Sequence, residues 1–348
     1  MTKLNVVIIG ASGYTGAELI RLLLNHVGVN ISALVANSNA GQNIENIYPH
    51  FTNCGLPHLK KLEEIDLSRM DVAFCCLPHT TSQEIIAQIV ASGVNPNLKI
   101  IDLSADFRIT DPANYQRWYD LEHKAQDLQP FATYGLSEIY RSQIKKSNLI
   151  ACPGCYPTSA LLPLAPLLEN RLIDSENIIV DSKSGVTGAG RSLKTGNLFA
   201  EVDESSKAYS IGTHRHIGEI EQELSVVAGQ NVNIDFTPHL IPINRGIIST
   251  IYVDIADGFS IDDLRNCLNT RYEDEYFVNI CDNVQISDVK ATNFCNISIN
   301  KARTGNRAVI VSVIDNLCKG ASGQAVQNMN IAFGFDERLG LINAPLFP

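Results

Sequence analysis

Residues Leu4 to Glu18 read LNVVIIGASGYTGAE. Leu4 to Ile9 is the continuous apolar run expected of a central parallel strand. Gly10, Gly13 and Gly16 follow, and an amphipathic helical pattern then runs to about His26. Strand, glycine-rich turn and helix in this order form the first part of a dinucleotide-binding unit, in which a helix N-terminus receives a pyrophosphate. The spacing is G-x-x-G-x-x-G rather than G-x-G-x-x-G, so the flanking strand and helix carry the reading more than the motif does. A structural turn is the alternative.

Further apolar runs lie outward from this unit at Asn30 to Ala36, Asp71 to Leu77, Lys99 to Leu103 and Leu149 to Ala151, alternating with helical patterns. They predict an open parallel sheet with a ligand at its carboxyl edge. Asn37 to Gly41 follows the second run and offers amides and hydroxyls; the first acid is Glu45. Without a carboxylate for the ribose hydroxyls, a 2′-phosphate and hence NADP is favoured, although the usual arginine is also missing. Arg108, beyond a strand end, suits an anionic ligand or, equally, a surface salt bridge. Asp106 reads as a cap or turn residue. Tyr115, Trp118 and Tyr119 read as packing, and Cys75 and Cys76 as core.

At 348 residues the chain has room for two domains. It is 45% hydrophobic and 18% charged, with a net charge of −10. This balance disfavours nucleic acid as a partner, and no apolar run is long enough to suggest a membrane span. Nine cysteines without framework spacing fit a reducing cytoplasm.

Asn148 to Leu162 reads NLIACPGCYPTSALL. A strand runs into a Pro-Gly turn, and a helix is expected to open at Thr158 to Ala160. Cys155, expected at the domain boundary, lies where a helix dipole favours a thiolate, and so is a candidate nucleophile. Cys152 and Cys155 also form C-x-x-C, but no second half completes a zinc site, and no metal centre is expected.

The second half carries a glycine-rich loop, Ser182 to Arg191, able to cradle a phosphate or carboxylate, or simply to be mobile surface. THRHIGE, Thr213 to Glu219, holds His214 and His216, which would share a face on a strand but diverge by about 200° on a helix. Either could be the acid/base of a thiol nucleophile. Strands are expected at Ile178 to Asp181, Ile247 to Ile255, Val289 to Ser298 and Val309 to Ile314, giving a mixed or antiparallel sheet with a broad apolar face. A helix from Asp315 to about Phe333 is expected to return to the first domain. The expected fold is thus α/β: a Rossmann-type parallel-sheet domain, 1–151 and 316–348, and an α+β catalytic and oligomerisation domain, 152–315.

Nine motifs in order carry a family resemblance: GASGYTGAE at Gly10, LPHTTSQE at Leu77, DLSADFRI at Asp102, YGLSEIYR at Tyr134, PGCYPTSA at Pro153, DSKSGVTGAGR at Asp181, HRHIGE at His214, PHLIPINRGI at Pro238 and DNLCKGASGQAVQN at Asp315. Over nearly its whole length the chain resembles the N-acetyl-gamma-glutamyl-phosphate reductases of arginine biosynthesis, in their longer form, which belong with the aspartate-semialdehyde and glyceraldehyde-phosphate dehydrogenases. The resemblance implies Cys155 as nucleophile and His216 or His214 as acid/base. It implies substrate contacts from Arg108, Ser184, Arg191, His214 and Glu219. It implies NADP contacts from Gly10, Ser12, Gly13, Tyr14, Thr15, Gly16, Ser38, Pro78, Ser184, Gly185 and Asn316. The implied reaction is NADPH-dependent reduction of N-acetyl-gamma-glutamyl phosphate to N-acetyl-glutamate 5-semialdehyde and phosphate through a cysteine thioester, by a cytoplasmic homodimer or homotetramer. The alternatives are a related reductase of aspartyl phosphate or carrier-linked aminoadipyl phosphate, or a non-catalytic NADP sensor. Two departures stand out: ANSNAGQ lacks the basic residue often found near Ser38, and Cys152 is not demanded by the pattern.

Overall fold

The computed structural model describes residues 3–346. The chain forms two compact units, Met1–Pro153 with Ala321–Ile342, and Gly154–Gly320 with Asn343–Pro348.

In the first unit the strands are β1 (Leu4–Ile9), β2 (Val29–Val35), β3 (Leu59–Lys60), β4 (Val72–Cys75), β5 (Lys99–Asp102), β6 (Ala132–Tyr134) and β7 (Leu149–Ala151). All the pairings are parallel, in the order β3-β2-β1-β4-β5-β7-β6. The chain turns outward both ways from β1 and β4, which creates the switch point where an α/β sheet binds ligands. Val6 to Ile9 are buried on both faces, as their unbroken apolar run requires. The helices are α1 (Tyr14–Leu23), α2 (Ser82–Ala91), α3 (Pro112–Tyr119) and α4 (Ser137–Ile144). α1 stops at Leu23, short of His26, where the Asn25 and His26 amides turn back to Leu22 and Leu23 carbonyls.

The second unit contains α5 (Cys155–Glu169), β8 (Ile178–Ser184), α6 (Phe199–Val202), β9 (Lys207–Ala208), α7 (His216–Ala228), β10 (Ile234–Leu240), β11 (Ile247–Asp254), α8 (Ile261–Tyr272), β12 (Val278–Ile280), β13 (Cys295–Lys301) and β14 (Arg307–Ile314). Its sheet is mixed, in the order β12-β13-β14-β11-β8-β10-β9. α9 (Gly323–Phe333) belongs to the first unit, where the Ser322 hydroxyl donates to the Thr15 carbonyl at 2.9 Å.

Four expectations change in the second unit. β8 continues to Ser184 because β10 and β11 flank it over its length. β10 went unread because Pro238 sits within it, a residue that cannot donate to a ladder. Residues 289–294 are not strand: Ala291 takes a left-handed φ of 63, and its amide donates to Asp315. The stretch after β14 is not a helix from Asp315, because the Asp315 carboxylate takes the amides of Leu317 and Cys318 and a π-turn over Cys318–Ser322 precedes α9.

α5 is the core helix of the second unit and is buried almost all round. Pro166 has no N–H for the Leu162 carbonyl, and the Tyr272 hydroxyl donates to that carbonyl instead. The hydroxyls of Ser159, Ser249 and Ser182 form a buried chain with 2.7 Å links, joining the first turns of α5 to β11 and β8.

Candidate active site

Cys155 is the first residue of α5, three residues ahead of the helix start expected at Thr158. Its neighbour Gly154 is held from two sides. The Gly154 amide donates to the buried Glu219 carboxylate at 2.8 Å, and its carbonyl accepts from the Thr158 amide and hydroxyl. On another side Gly320 packs against Cys155, and a Cβ built there would lie 3.2 Å from Cys155 Cα. Gly320 can be held there because its amide donates to the Asp315 carbonyl, five residues back, at 3.0 Å. The Asp315 carboxylate is fixed by Arg245, whose Nη2 donates to it at 3.0 Å while Nε lies 2.9 Å from its other oxygen as an ion pair, and by three backbone amides. A partly exposed cysteine at a helix N-terminus, seated this firmly, has the setting of a reactive thiol.

Cys152 is a different thiol. It is buried, burial pushes its pKa up to about 12, and the Asn328 amide lies 3.6 Å from its sulfur. It is an inert core cysteine.

His214 and His216 occupy neither of the two geometries considered from sequence. His214 precedes α7 and His216 opens it, so the rings meet edge to face with centroids 4.8 Å apart. The His216 amide donates to His214 Nδ1 at 3.1 Å, which leaves Nε2 to carry the proton of neutral His214. Burial, with Arg215 adding to it, lowers the His214 pKa to about 4. Its ring is walled by Tyr156, Tyr209 and Phe236. Tyr156 and Tyr209 share a hydroxyl hydrogen bond of 2.9 Å, and burial pushes both phenols up, Tyr209 to about 12. This tyrosine pair was not singled out in the sequence. Tyr156 directly follows Cys155, but Tyr209 comes from an irregular stretch with no periodic signal.

Ser184, Gly185 and Asn316 come together in the same unit. The Gly185, Val186 and Thr187 amides bond to the carbonyls of Gly246, Ile243 and Asn244. Asn316 closes the set, accepting from the Gly246 amide at 2.7 Å and donating to the Thr187 hydroxyl at 3.0 Å. The beginning of the glycine-rich loop is therefore fixed structure rather than mobile surface. Arg191 lies beyond it, on exposed chain.

In the first unit, Gly10, Ser12 and Gly13 lie in the turn between β1 and α1, and Tyr14, Thr15 and Gly16 form the first turn of α1. Gly10 has φ +88, and a Cβ there would lie 2.3 Å from the Cys76 carbonyl; one on Gly16 would lie 2.6 Å from the Gly10 carbonyl. Gly13 caps α1 with no side chain, so the helix N-terminus can receive an anion. The Tyr48 hydroxyl donates to the Ser12 carbonyl at 3.0 Å. Ser38 lies on the exposed turn after β2, and Pro78 is exposed at the end of β4. These features fit a dinucleotide. Arg108 is buried, with Nε on the Cys152 carbonyl at 2.6 Å and Nη2 on the Leu103 carbonyl at 2.9 Å, so it is not a surface residue. Among the described residues no group of His, Cys, Asp or Glu is arranged to hold a metal.

Residues 5–147 match the family model described as the semialdehyde dehydrogenase NAD binding domain, and residues 155–316 match the semialdehyde dehydrogenase dimerisation domain. An N-acetyl-gamma-glutamyl-phosphate reductase of Rhodospirillum rubrum is 50% identical over 349 residues, 99% of this chain and 99% of its own. A probable chloroplastic N-acetyl-gamma-glutamyl-phosphate reductase of Arabidopsis thaliana is 50% identical over 344 residues, 98% of this chain and 84% of its own. The crystal structure of aspartate semialdehyde dehydrogenase II from Vibrio cholerae, complexed with ASA, shares the fold with a TM-score of 0.71 at 16% identity, covering 96% of this chain and 99% of that one. The chain belongs to the semialdehyde dehydrogenase family, among its N-acetyl-gamma-glutamyl-phosphate reductases.

Proposed function

We propose that the chain reduces N-acetyl-gamma-glutamyl phosphate to N-acetyl-glutamate 5-semialdehyde and phosphate, the third step of arginine biosynthesis from glutamate, through a thioester on Cys155. The observation that carries the reading is the seat of Cys155: first in α5, with Gly154 tied to Glu219 and Gly320 packed behind it. The names and full-length similarity of the relatives supply the substrate class.

Cys155 Sγ attacks the acyl carbon, the carbon–oxygen bond to phosphate breaks, and phosphate leaves with the bonding pair. NADPH, when bound, supplies the hydride that takes the acyl group to the aldehyde level. Collapse of the resulting thiohemiacetal returns the electron pair to sulfur and frees the semialdehyde. In the first turn of α5, the N–H groups able to stabilise a developing oxyanion are those of Cys155 and Tyr156, because Pro157 has none. His216 is the better acid/base of the two histidines: His214 uses Nδ1 on an amide and is held neutral well below pH 7. Ser184, Arg191, Glu219 and His214 contact substrate in this reading, with Arg108 as a fixed buried cation.

In this reading Gly10, Ser12, Gly13, Tyr14, Thr15, Gly16, Ser38 and Pro78, and also Ser184, Gly185 and Asn316, are the coenzyme-binding residues. NADP is preferred over NAD because Asn37 to Gly41 offers hydroxyl and amide donors and no carboxylate. The coenzyme domain of this reading is 1–151 with 316–348 and the catalytic domain 152–315, boundaries that lie within six residues of those of the two compact units. Nine cysteines, none joined in a disulfide among the described residues, suit a reducing compartment such as the cytoplasm. The match of residues 155–316 to a dimerisation domain supports a homodimer or homotetramer.

The test is coenzyme oxidation by purified protein with N-acetyl-gamma-glutamyl phosphate, set against beta-aspartyl phosphate, each with NADPH and with NADH. Turnover confined to the acetylated substrate and faster with NADPH supports the reading. Turnover only with aspartyl phosphate moves the enzyme to a different pathway.

A further inference from the structure

Thr80 is a β-branched residue held at φ +71, in the left-handed region that such side chains rarely adopt. Strain of this kind persists only where the surroundings impose it, and it collects at functional sites. Here the surroundings are explicit. The buried Asp106 carboxylate accepts the Thr80 amide at 2.7 Å and the Gln83 amide at 3.0 Å, so one side chain fixes both the turn and the start of α2. The Tyr115 hydroxyl donates to the same carboxylate at 2.9 Å. Asp106 is itself held, its amide donating to the Ser104 hydroxyl at 3.1 Å. The Thr80 carbonyl is tied as well, accepting from the Gln83 side chain at 3.3 Å, while the Ala105 amide donates to His79 Nδ1 at 3.0 Å.

The place of this turn gives the strain a meaning. It follows β4, which pairs with β1 through Ile9 and Cys75, and Gly10 rests directly on the Cys76 carbonyl. The strained turn thus adjoins the glycine-rich turn at the switch point of the sheet, where a dinucleotide lies. A fold needing only a connection between β4 and α2 has no reason to hold a threonine left-handed, since glycine would do so without strain.

We propose that Asp106 is a positioning residue for the coenzyme, acting through Thr80: it holds the turn of residues 78–81 in the left-handed form that presents its backbone to the bound dinucleotide. The inference rests on the coenzyme reading above.

Isothermal titration of the full chain with NADPH tests it, using wild type, D106N, T80G and D106N in the T80G background. With threonine at position 80, D106N should raise the NADPH dissociation constant by about tenfold or more, the size set by the strain it no longer opposes. With glycine there, the left-handed turn carries little strain, and the same change should cost less than about threefold. An equal rise in both backgrounds would show that Asp106 only satisfies buried donors, and no rise in either would show that the turn does not position coenzyme; each overturns the proposal. If D106N fails to fold, T80G decides alone: it should raise the melting temperature of the coenzyme-free chain by about 2 °C or more, and a fall overturns the proposal. A wild-type chain that binds no nicotinamide coenzyme contradicts the proposed function and this inference together. A binding wild type with an unaffected D106N contradicts only the inference.

Discussion

Gly320 stands so close to Cys155 that a methyl group on it would lie 2.8 Å from Cys155 Cβ. Cys155 therefore rests on bare backbone, held by the bond between the Gly320 amide and the Asp315 carbonyl. Gly320→Ala must push Cys155 or the π-turn aside. Displacements of about an ångström near reacting atoms cost on the order of a hundredfold in rate. We expect turnover to fall by about that factor with coenzyme affinity unchanged, measured by steady-state kinetics and by NADPH titration. Retained turnover would show that the contact is slack.

Glu219 offers a graded test. Glu219→Gln keeps an oxygen able to accept the Gly154 amide, whereas Glu219→Ala leaves a buried amide without that acceptor, at about 1–3 kcal/mol. Denaturant unfolding should show the alanine variant less stable than the glutamine variant. Equal stability would mean that Glu219 does not hold Gly154.

Burial, with Arg215 adding to it, keeps the His214 imidazole titrating low, and this makes stability depend on pH. The unfolded chain binds its proton near pH 6.5 and the folded chain only near pH 4, so stability contributed by His214 is present above pH 6.5 and lost as pH falls toward 4. Asp102 has the opposite sense: burial raises its pKa to about 6, so its contribution falls as pH rises through that range. The difference between wild type and His214→Asn isolates the first effect. The variant's stability should vary less steeply between pH 4 and 6.5, as read by urea midpoints; parallel curves would contradict the assignment.

Tyr272 takes the carbonyl that Pro166 strands inside α5. Tyr272→Phe should cost about 1–3 kcal/mol of stability, with the Michaelis constants unchanged. A neutral change would mean that another donor reaches the Leu162 carbonyl.

Much of this was legible in the sequence, and for physical reasons. β1 and the Gly10 to Gly16 turn announce themselves because a doubly covered parallel strand must be apolar throughout, and because a close approach to Cys76 admits only glycine. Cys155 was visible as a strand-to-helix cysteine, although the helix starts three residues earlier than the apolar pattern does. Pro157 in the first turn hides this, since proline is tolerated there but reads as a break. The arrangement of the histidine pair is not legible in the sequence, because neither a strand nor a helix period describes residues that straddle a helix start. Asp315, Arg245 and Gly320 carried no periodic signal at all. Their roles arise from contacts over long sequence separations, 70 residues between Arg245 and Asp315.

The most direct measurement is to mix the enzyme with N-acetyl-gamma-glutamyl phosphate without coenzyme, quench, and map the digest by mass spectrometry while assaying phosphate. We predict about one equivalent of phosphate released and an acetylglutamyl adduct on the Cys155 peptide, with neither formed by Cys155→Ser. Release of phosphate with no adduct on Cys155, or undiminished turnover by Cys155→Ser, would contradict the thioester account.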